Sequence, residues 1–209
     1  MEYNYINPFG PSIYFSRLSD EEIVFLQEIA AQTKKKNLSY GNALVGNIET
    51  QLVLQCFPNQ TDQFKKVLNP HIQNFLKCKE QHAELQKDPY KRTNKLFPTT
   101  NFNYTLGKGP WINYQKKHEF NPIHSHNGIL SGVVYIDVPI EIEEEFTKSK
   151  INSARLCPGK IEFCYGYALL NYYPKTGDVF IFPAELFHTV YPFTSDVERI
   201  SMSFNVFNK

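Results

Sequence analysis

His124, Ser125 and His126 stand in a row, and 62 residues after His126 the run Phe182-Pro183-Ala184-Glu185-Leu186-Phe187 ends in His188. Side chains at i and i+2 of a β-strand leave the same face, so His124 and His126 can offer two imidazoles to one metal ion. A distant strand would bring His188 as a third ligand. A single histidine in a strand is usually a structural residue with satisfied hydrogen bonds. The pair is different, because two imidazoles on one face repel when charged and gain little from proximity unless a metal lies between them. Eleven residues beyond His188, Arg199-Ile200-Ser201 opens another strand-like run. There Ile200, Met202 and Phe204 alternate with Arg199, Ser201 and Ser203, which therefore share a polar face inside an apolar fold. A fixed guanidinium beside a metal suits an acidic small molecule held against that metal.

Such residues need a β framework to bring them together. From about residue 98 the spacing of apolar residues changes to short β-like runs, punctuated by Gly107-Lys108-Gly109-Pro110, Asn127-Gly128, Pro158-Gly159 and Thr176-Gly177-Asp178. Strands are expected at 101–106, 110–117, 122–126, 129–138, 160–172, 178–183, 187–192 and 198–207, enough for two facing sheets. Trp111 and Asn113 fall on a strand preceding the histidine pair, where they are candidates for lining a substrate pocket. Upstream, Ser19-Asp20-Glu21-Glu22 reads as a capping box opening a helix over about 20–33. Thr61-Asp62 opens a second helix, in which Phe64, Val67, Leu68, Ile72, Phe75 and Leu76 keep helical spacing toward Lys87, with Pro70 as a point of bending. The polar stretch from Glu141 to Ser153 reads as a solvated excursion, with a substrate-covering lid as the second reading. The expected fold is mainly β with flanking helices: a helical N-terminal support, residues 1–97, packed on a β core, residues 98–209, in one compact domain.

Composition narrows the partners. With 22 basic and 21 acidic side chains among 209 residues, the net charge of +1 gives no long-range field to recruit nucleic acid or an anionic membrane. No stretch approaches eighteen consecutive apolar residues. Cys56, Cys78, Cys157 and Cys164 form no Cys-x-x-Cys pair, and the start of the chain shows no basic-then-apolar leader, so a reducing cytoplasm is expected.

Several ordered motifs resemble a known family: Trp111-Ile112-Asn113, His124-Ser125-His126, Leu130-Ser131-Gly132-Val133-Val134-Tyr135, Gly177-Asp178-Val179-Phe180-Ile181-Phe182-Pro183, His188, and Glu198 through Asn205. They look like the iron(II)/2-oxoglutarate-dependent oxygenases frequent in bacteria and tailed phages, relatives of prolyl 4-hydroxylases. The resemblance covers about 111–209 and is only general over 1–95. It implies a double-stranded β-helix (jelly-roll, cupin-like) core, with iron(II), 2-oxoglutarate and O₂ as the reacting set and a bacterial or phage-infected host cytoplasm as the setting. On this resemblance His124 and His188 match the two metal-binding histidines. Arg199 matches the base that pairs with the C5 carboxylate of 2-oxoglutarate, with Ser201 and Tyr135 as further donors. His126 departs from the pattern, since that ligand is usually Asp or Glu; His126 itself, Asp137 or a water is left to fill the position, and another metal remains open. Resemblance to prolyl hydroxylases implies a hydroxylase reaction yielding succinate and CO₂, on a peptide or protein proline.

Two other readings of the histidines stand beside this one. A three-histidine cupin enzyme would do without 2-oxoglutarate, although no Glu follows His126 at the usual short spacing and Arg199 would have no task. A non-catalytic β-domain holding zinc would prefer four protein ligands where three are found.

Overall fold

In the computed structural model the residues described are 2–6, 10–37, 46–54, 58–87, 103–107, 109–148 and 158–209. In chain order the elements are β1 (Tyr3–Ile6), β2 (Ile13–Arg17), α1 (Asp20–Lys36), β3 (Thr50–Val53), α2 (Pro58–Lys87), β4 (Tyr104–Thr105), β5 (Trp111–Gln115) and β6 (Asn121–His124). There follow β7 (Leu130–Asp137), α3 (Ile140–Lys148), β8 (Ile161–Tyr165), β9 (Ala168–Tyr172), β10 (Asp178–Pro183), β11 (Phe187–Val190) and β12 (Arg199–Asn208).

Alternation of side chains builds two antiparallel sheets facing each other. The larger runs β1-β2-β10-β7-β12-β5-β3, with β4 added on β12, and the smaller runs β6-β11-β8-β9. The central strands β7 and β10 of the larger sheet are buried on both faces. Along β12, Met202, Phe204 and Val206 point to a core shared with the helices, while Arg199, Ser201, Ser203 and Asn205 line a cavity between the sheets. Along β7, Val134 and Ile136 face the helices, and Val133 and Tyr135 face the smaller sheet with Phe180, Phe182, Ile161 and Phe163. The architecture is a double-stranded β-helix, with helices on the outer face of its larger sheet.

The helices hold that face. In α1 the Ser19 hydroxyl accepts from the Glu22 backbone amide, and the Glu22 carboxylate accepts from the Ser19 amide, the reciprocal cap expected from the sequence. The helix continues beyond residue 33 to Lys36; Lys34, Lys35 and Lys36 occupy the last turn, where cations oppose the negative end of the helix dipole. Leu26, Ile29 and Ala30 of α1 and Phe64, Val67, Leu68, Ile72 and Phe75 of α2 enter the same core. Pro70 lies inside α2.

Four differences from the sequence reading have physical causes. Residues 2–54 supply not only a helix but the three strands β1, β2 and β3. The expected strand 160–172 is a hairpin, β8 and β9, broken at Gly166 with φ +59. The polar excursion contains α3, whose Ile142 is buried against Gly159 and whose Glu145 accepts from the backbone amides of Thr194 and Ser195; residues 149–153 lie outside the described residues. The strand carrying His124 ends there, so His126 lies just past it rather than on it. The strand expected at 101–106 is described only from residue 103, as the short β4. Cys56 and Cys157 lie outside the described residues, and Cys78 and Cys164 are free thiols. Among the described residues no helix is long and apolar enough to cross a membrane.

Candidate metal and co-substrate site

Cross-strand register brings His124 and His188 together. They are direct partners between β6 and β11, and their ring centroids are 4.3 Å apart. Each ring is oriented from behind by the backbone two residues upstream. His124 Nδ1 lies 2.6 Å from the Pro122 carbonyl, and His188 Nδ1 lies 3.0 Å from the Leu186 carbonyl. A carbonyl can only accept, so Nδ1 carries the proton in both rings and the Nε2 lone pairs are free to bind a metal.

His126 reaches the same point by another route. Its backbone amide donates to Ala184 O at 2.7 Å, which fixes the loop beyond β6 against the turn before β11. Its ring then sits 4.9 Å from His124 and 5.1 Å from His188, with Trp111 at 5.9 Å on another side. The three rings offer ligand atoms that all lie within 4.8 Å of one another. No carboxylate joins the cluster among the described residues, and Asp137 does not line the cavity.

Burial keeps these imidazoles neutral. It pushes His188 down to about 3 and His126 to about 4, with the neighbouring His124 adding to the effect on each, and it lowers His124 as well. Three neutral, convergent nitrogen donors, two of them with fixed tautomers, suit a first-row divalent metal.

The second half of the site lies along β12. Arg199 is 1% exposed, yet among the described residues no carboxylate faces it. Its Nη1 donates to the Gly159 carbonyl and its Nη2 to Gln115 Oε1, while Nε has no partner. Gln115 is held in turn, since its Nε2 donates to the Glu119 and Tyr191 carbonyls. A guanidinium seated by neutral acceptors is positioned but not neutralised. It costs free energy to bury and has strong attraction left for an anion.

Tyr135 is the cross-strand partner of Ser201, and its ring lies 5.4 Å from the Arg199 guanidinium. Burial pushes its phenol up to about 12, against the opposing pull of Arg199, so the hydroxyl stays protonated as a donor. On the other side of Ser201 stands Asn113, whose Nδ2 lies 3.2 Å from Ser203 Oγ and 3.5 Å from Ser201 Oγ. Beyond it on β3 comes Gln51, donating to Asn113 Oδ1 at 2.8 Å.

The three histidines, Arg199, Ser201, Tyr135, Asn113 and Trp111 all border one cavity of about 340 Å³. The structure thus brings these eight residues to one place and leaves Asp137 outside it. Sequence reasoning missed Gln51, Gln115, Gly159, Asn121 and Asn205. Asn205 continued the polar alternation of Arg199, Ser201 and Ser203 and could have been read from it; Gln115 likewise continued that of Trp111 and Asn113. Gln51 lies on a strand not foreseen, and Gly159 acts through its carbonyl, which no side chain announces.

The fold and this pairing of a three-histidine cluster with a buried arginine suit a metal-dependent enzyme that takes an acidic co-substrate. Residues 109–205 match the family described as "Putative 2OG-Fe(II) oxygenase". That match takes in His124, His126, His188 and Arg199, so residues 109–205 are similar to iron(II)- and 2-oxoglutarate-dependent oxygenases. Solved structures share the fold. A prolyl-4-hydroxylase from Pseudomonas putida is 13% identical, with 94% of this chain and 92% of that one covered and a TM-score of 0.53. A Trichoplax adhaerens prolyl hydroxylase in complex with a hypoxia inducible factor peptide fragment is 10% identical, covering 94% and 83%, with a TM-score of 0.57. HygX from Streptomyces hygroscopicus, with nickel and 2-oxoglutarate bound, is 9% identical, covering 94% and 83%, with a TM-score of 0.54. No curated protein matches the chain.

Proposed function

We propose that the protein is a hydroxylase in which His124, His126 and His188 hold iron(II) and Arg199, Ser201 and Tyr135 receive the C5 carboxylate of 2-oxoglutarate. The observation that carries this reading is the buried Arg199 charge, without an acidic partner, in the same cavity as three neutral imidazoles. The donor set fits the metal: both anchored histidines present Nε2, and none of the three has to lose a proton at neutral pH to bind. Bound iron(II), with 2-oxoglutarate and O₂, supplies oxidation of an unactivated C–H bond coupled to formation of succinate and CO₂.

The protein's own contribution is positioning. Gly159 and Gln115 fix the Arg199 fork, so that the remaining guanidinium hydrogens can take both oxygens of a carboxylate. The protonated Tyr135 hydroxyl and Ser201 add donors on the same row of the sheet. Phe163 and Phe182 pack on the His188 ring, which limits its rotation and keeps water from its apolar side. Trp111 and Asn113, beside His126 and Ser203, border the space left for the primary substrate. The substrate we favour is a peptidyl proline, supported by the prolyl hydroxylases that share the fold.

Anaerobic addition of 2-oxoglutarate to the iron(II)-loaded protein should give a weak metal-to-ligand charge-transfer band. Succinate release against prolyl peptides, nucleobases and small metabolites should then identify the substrate. Absence of both the band and any succinate would refute the reading.

A further inference from the structure

The smaller sheet has an outer face as well as the inner one that carries the histidines. His188, Phe163 and Leu170 point inward, so by alternation Phe187 of β11, Cys164 of β8 and Leu169 of β9 point outward. These three form one cross-strand row, with Phe187 opposite Cys164 and Cys164 opposite Leu169. The next outward row is Thr189, Glu162 and Asn171. An antiparallel sheet with one solvated face alternates between apolar residues inside and polar residues outside. The Thr189 row keeps that rule, and the Phe187 row breaks it.

The break is wide. Phe187 is 53% exposed and Leu169 60%, while Ile123, diagonal to Phe187 on β6, is 59% exposed, and Tyr167 at the tip of the β8–β9 hairpin is fully open. At about 150–250 Å² for a whole large side chain, these four offer on the order of 500 Å² of largely apolar surface. Single exposed apolar residues are ordinary, but a contiguous group of this size on one face is characteristic of a contact surface. The helices serve the other sheet: α1 packs on β7 and β3, and α2 on β10.

Charge limits what this face can take. From Phe163 to Pro174 twelve consecutive residues carry no charge, in a chain that is 21% charged. The acid on the outward rows, Glu162, is 7% exposed and accepts from the Tyr191 hydroxyl. β9 also ends the smaller sheet, and Ala168-Leu169-Leu170-Asn171-Tyr172 has none of the lysines or prolines by which exposed edges commonly resist association. A charged partner finds no opposite charge here, whereas a second copy brings no like charge against itself.

The row is also its own complement. Cys164, its smallest member, stands in the middle, with Phe187 and Leu169 on either side. A twofold axis between two such faces, parallel to the strands and over Cys164, sets Phe187 on the partner's Leu169 and Leu169 on the partner's Phe187. That is an isologous contact, with Ile123 and Tyr167 at its border.

We propose that the outer face of the smaller sheet is the interface of a twofold dimer, in which a second copy of the chain covers the Phe187-Cys164-Leu169 row. The four exposed side chains alone supply more than half of the about 800 Å² per partner that a stable interface buries. Because β6 and β11 carry His124 and His188 on their inward faces, the dimer braces the two strands that hold the candidate metal site. The dimer does not depend on what that site binds.

Sedimentation equilibrium of the full chain at micromolar concentration tests this, and the wild type should sediment at twice the mass of one chain. Leu169→Lys and Phe187→Lys should each raise the dimer dissociation constant about a hundred-fold or more, since each places two unpaired charges in the contact. Val24→Lys, at an apolar residue of α1 that is 54% exposed, should leave it within about two-fold. The lysine variants should keep a cooperative thermal transition, which separates loss of the dimer from loss of the fold. Cys164 supplies a second readout: it should react with a maleimide about ten-fold faster or more in the Leu169→Lys monomer than in the wild type, the other thiols being subtracted with Cys164→Ser. A dimer that survives both lysines, an assembly of any other size, or equal Cys164 reactivity in wild type and monomer would overturn the proposal. A monomeric wild type would overturn it as well: a Cys164 that then resists the maleimide would show the chain covering this face itself, and a reactive one would leave the face to a partner of another kind.

Discussion

Replacing Arg199 by methionine separates the co-substrate's charge partner from the stability of the fold. In the folded protein the substitution leaves the Gly159 carbonyl and Gln115 Oε1 without their donor, at about 1–3 kcal/mol each. Against this, a guanidinium that is 1% exposed and faces no carboxylate no longer has to be stripped of water, a gain of several kcal/mol. The two effects oppose each other, so the melting temperature of the protein without 2-oxoglutarate should move by only a few degrees. Co-substrate binding has no such compensation. A bidentate carboxylate contact made of two charge-assisted hydrogen bonds, each worth about 1.5–3 kcal/mol, predicts a loss of about 3–6 kcal/mol, or 10²- to 10⁴-fold in affinity. The assay is thermal unfolding of nickel-loaded protein with and without 2-oxoglutarate at 100 times the wild-type Kd. There the wild type gains about 2.7 kcal/mol, which is roughly 5–11 °C for a domain of this size. The variant at the same concentration gains at most about 0.4 kcal/mol, roughly 1 °C. A variant that keeps the wild-type shift would show that Arg199 is not the carboxylate partner.

His126→Asp should retain metal and 2-oxoglutarate binding, whereas His126→Ala should lose metal affinity by at least ten-fold in direct titration; unchanged affinity in the Ala variant would remove His126 from the ligand set. Gly159→Ala places a Cβ at φ +66, 2.5 Å from Ile142 Cγ2 and 3.3 Å from Arg199 Nη1, so 2-oxoglutarate should bind more weakly to a protein that still folds. Gly132→Ala makes the contrasting case: its Cβ would meet the Phe204 ring at 2.3 Å on the helix side, which should cost about 1–3 kcal/mol in denaturant unfolding and leave 2-oxoglutarate affinity unchanged. The metal-free protein should also lose stability as pH falls from about 6.5 toward 4. His188 near 3 and His126 near 4 lie below the ordinary histidine value of 6.5, so in that window the unfolded chain binds more protons than the folded one and stability rises with pH. Melting temperatures measured between pH 4.5 and 7.5 should show this slope, and His188→Asn should flatten it.

How much of this was legible before the structure differs between the two sheets. The strands that carry the site announce themselves because one face meets helices and the other meets a polar cavity. Apolar Ile200, Met202 and Phe204 therefore alternate visibly with Arg199, Ser201 and Ser203. The strands β1, β2 and β3 do not, since β2 buries Tyr14 against the helices and Ile13 and Phe15 against the opposite sheet, leaving no polar phase to read. Their omission made the N-terminal stretch look helical only. In the same way α3 hid behind its charges, because a segment rich in Glu and Lys looks like a loop until Gly159 is seen against Ile142 and Thr194 against Glu145.

His126 is the instructive case. The i, i+2 rule for a continuous strand led to the right cluster for an incomplete reason, since β6 ends at His124. What brings the second ring in is the hydrogen bond from its own amide to Ala184, a backbone contact that no pattern of side chains encodes. That difference bears on the ligand set. His124 and His188 are oriented by carbonyls two residues upstream, whereas among the described residues no hydrogen bond orients the His126 ring, which lies tilted beside that of Trp111 at 5.9 Å. A ligand held by its loop rather than by its ring should be the most tolerant of replacement, and the Asp and Ala variants at this one position measure that tolerance directly. If instead His188→Asp retained metal and His126→Asp lost it, the order of rigidity argued from these hydrogen bonds would be wrong.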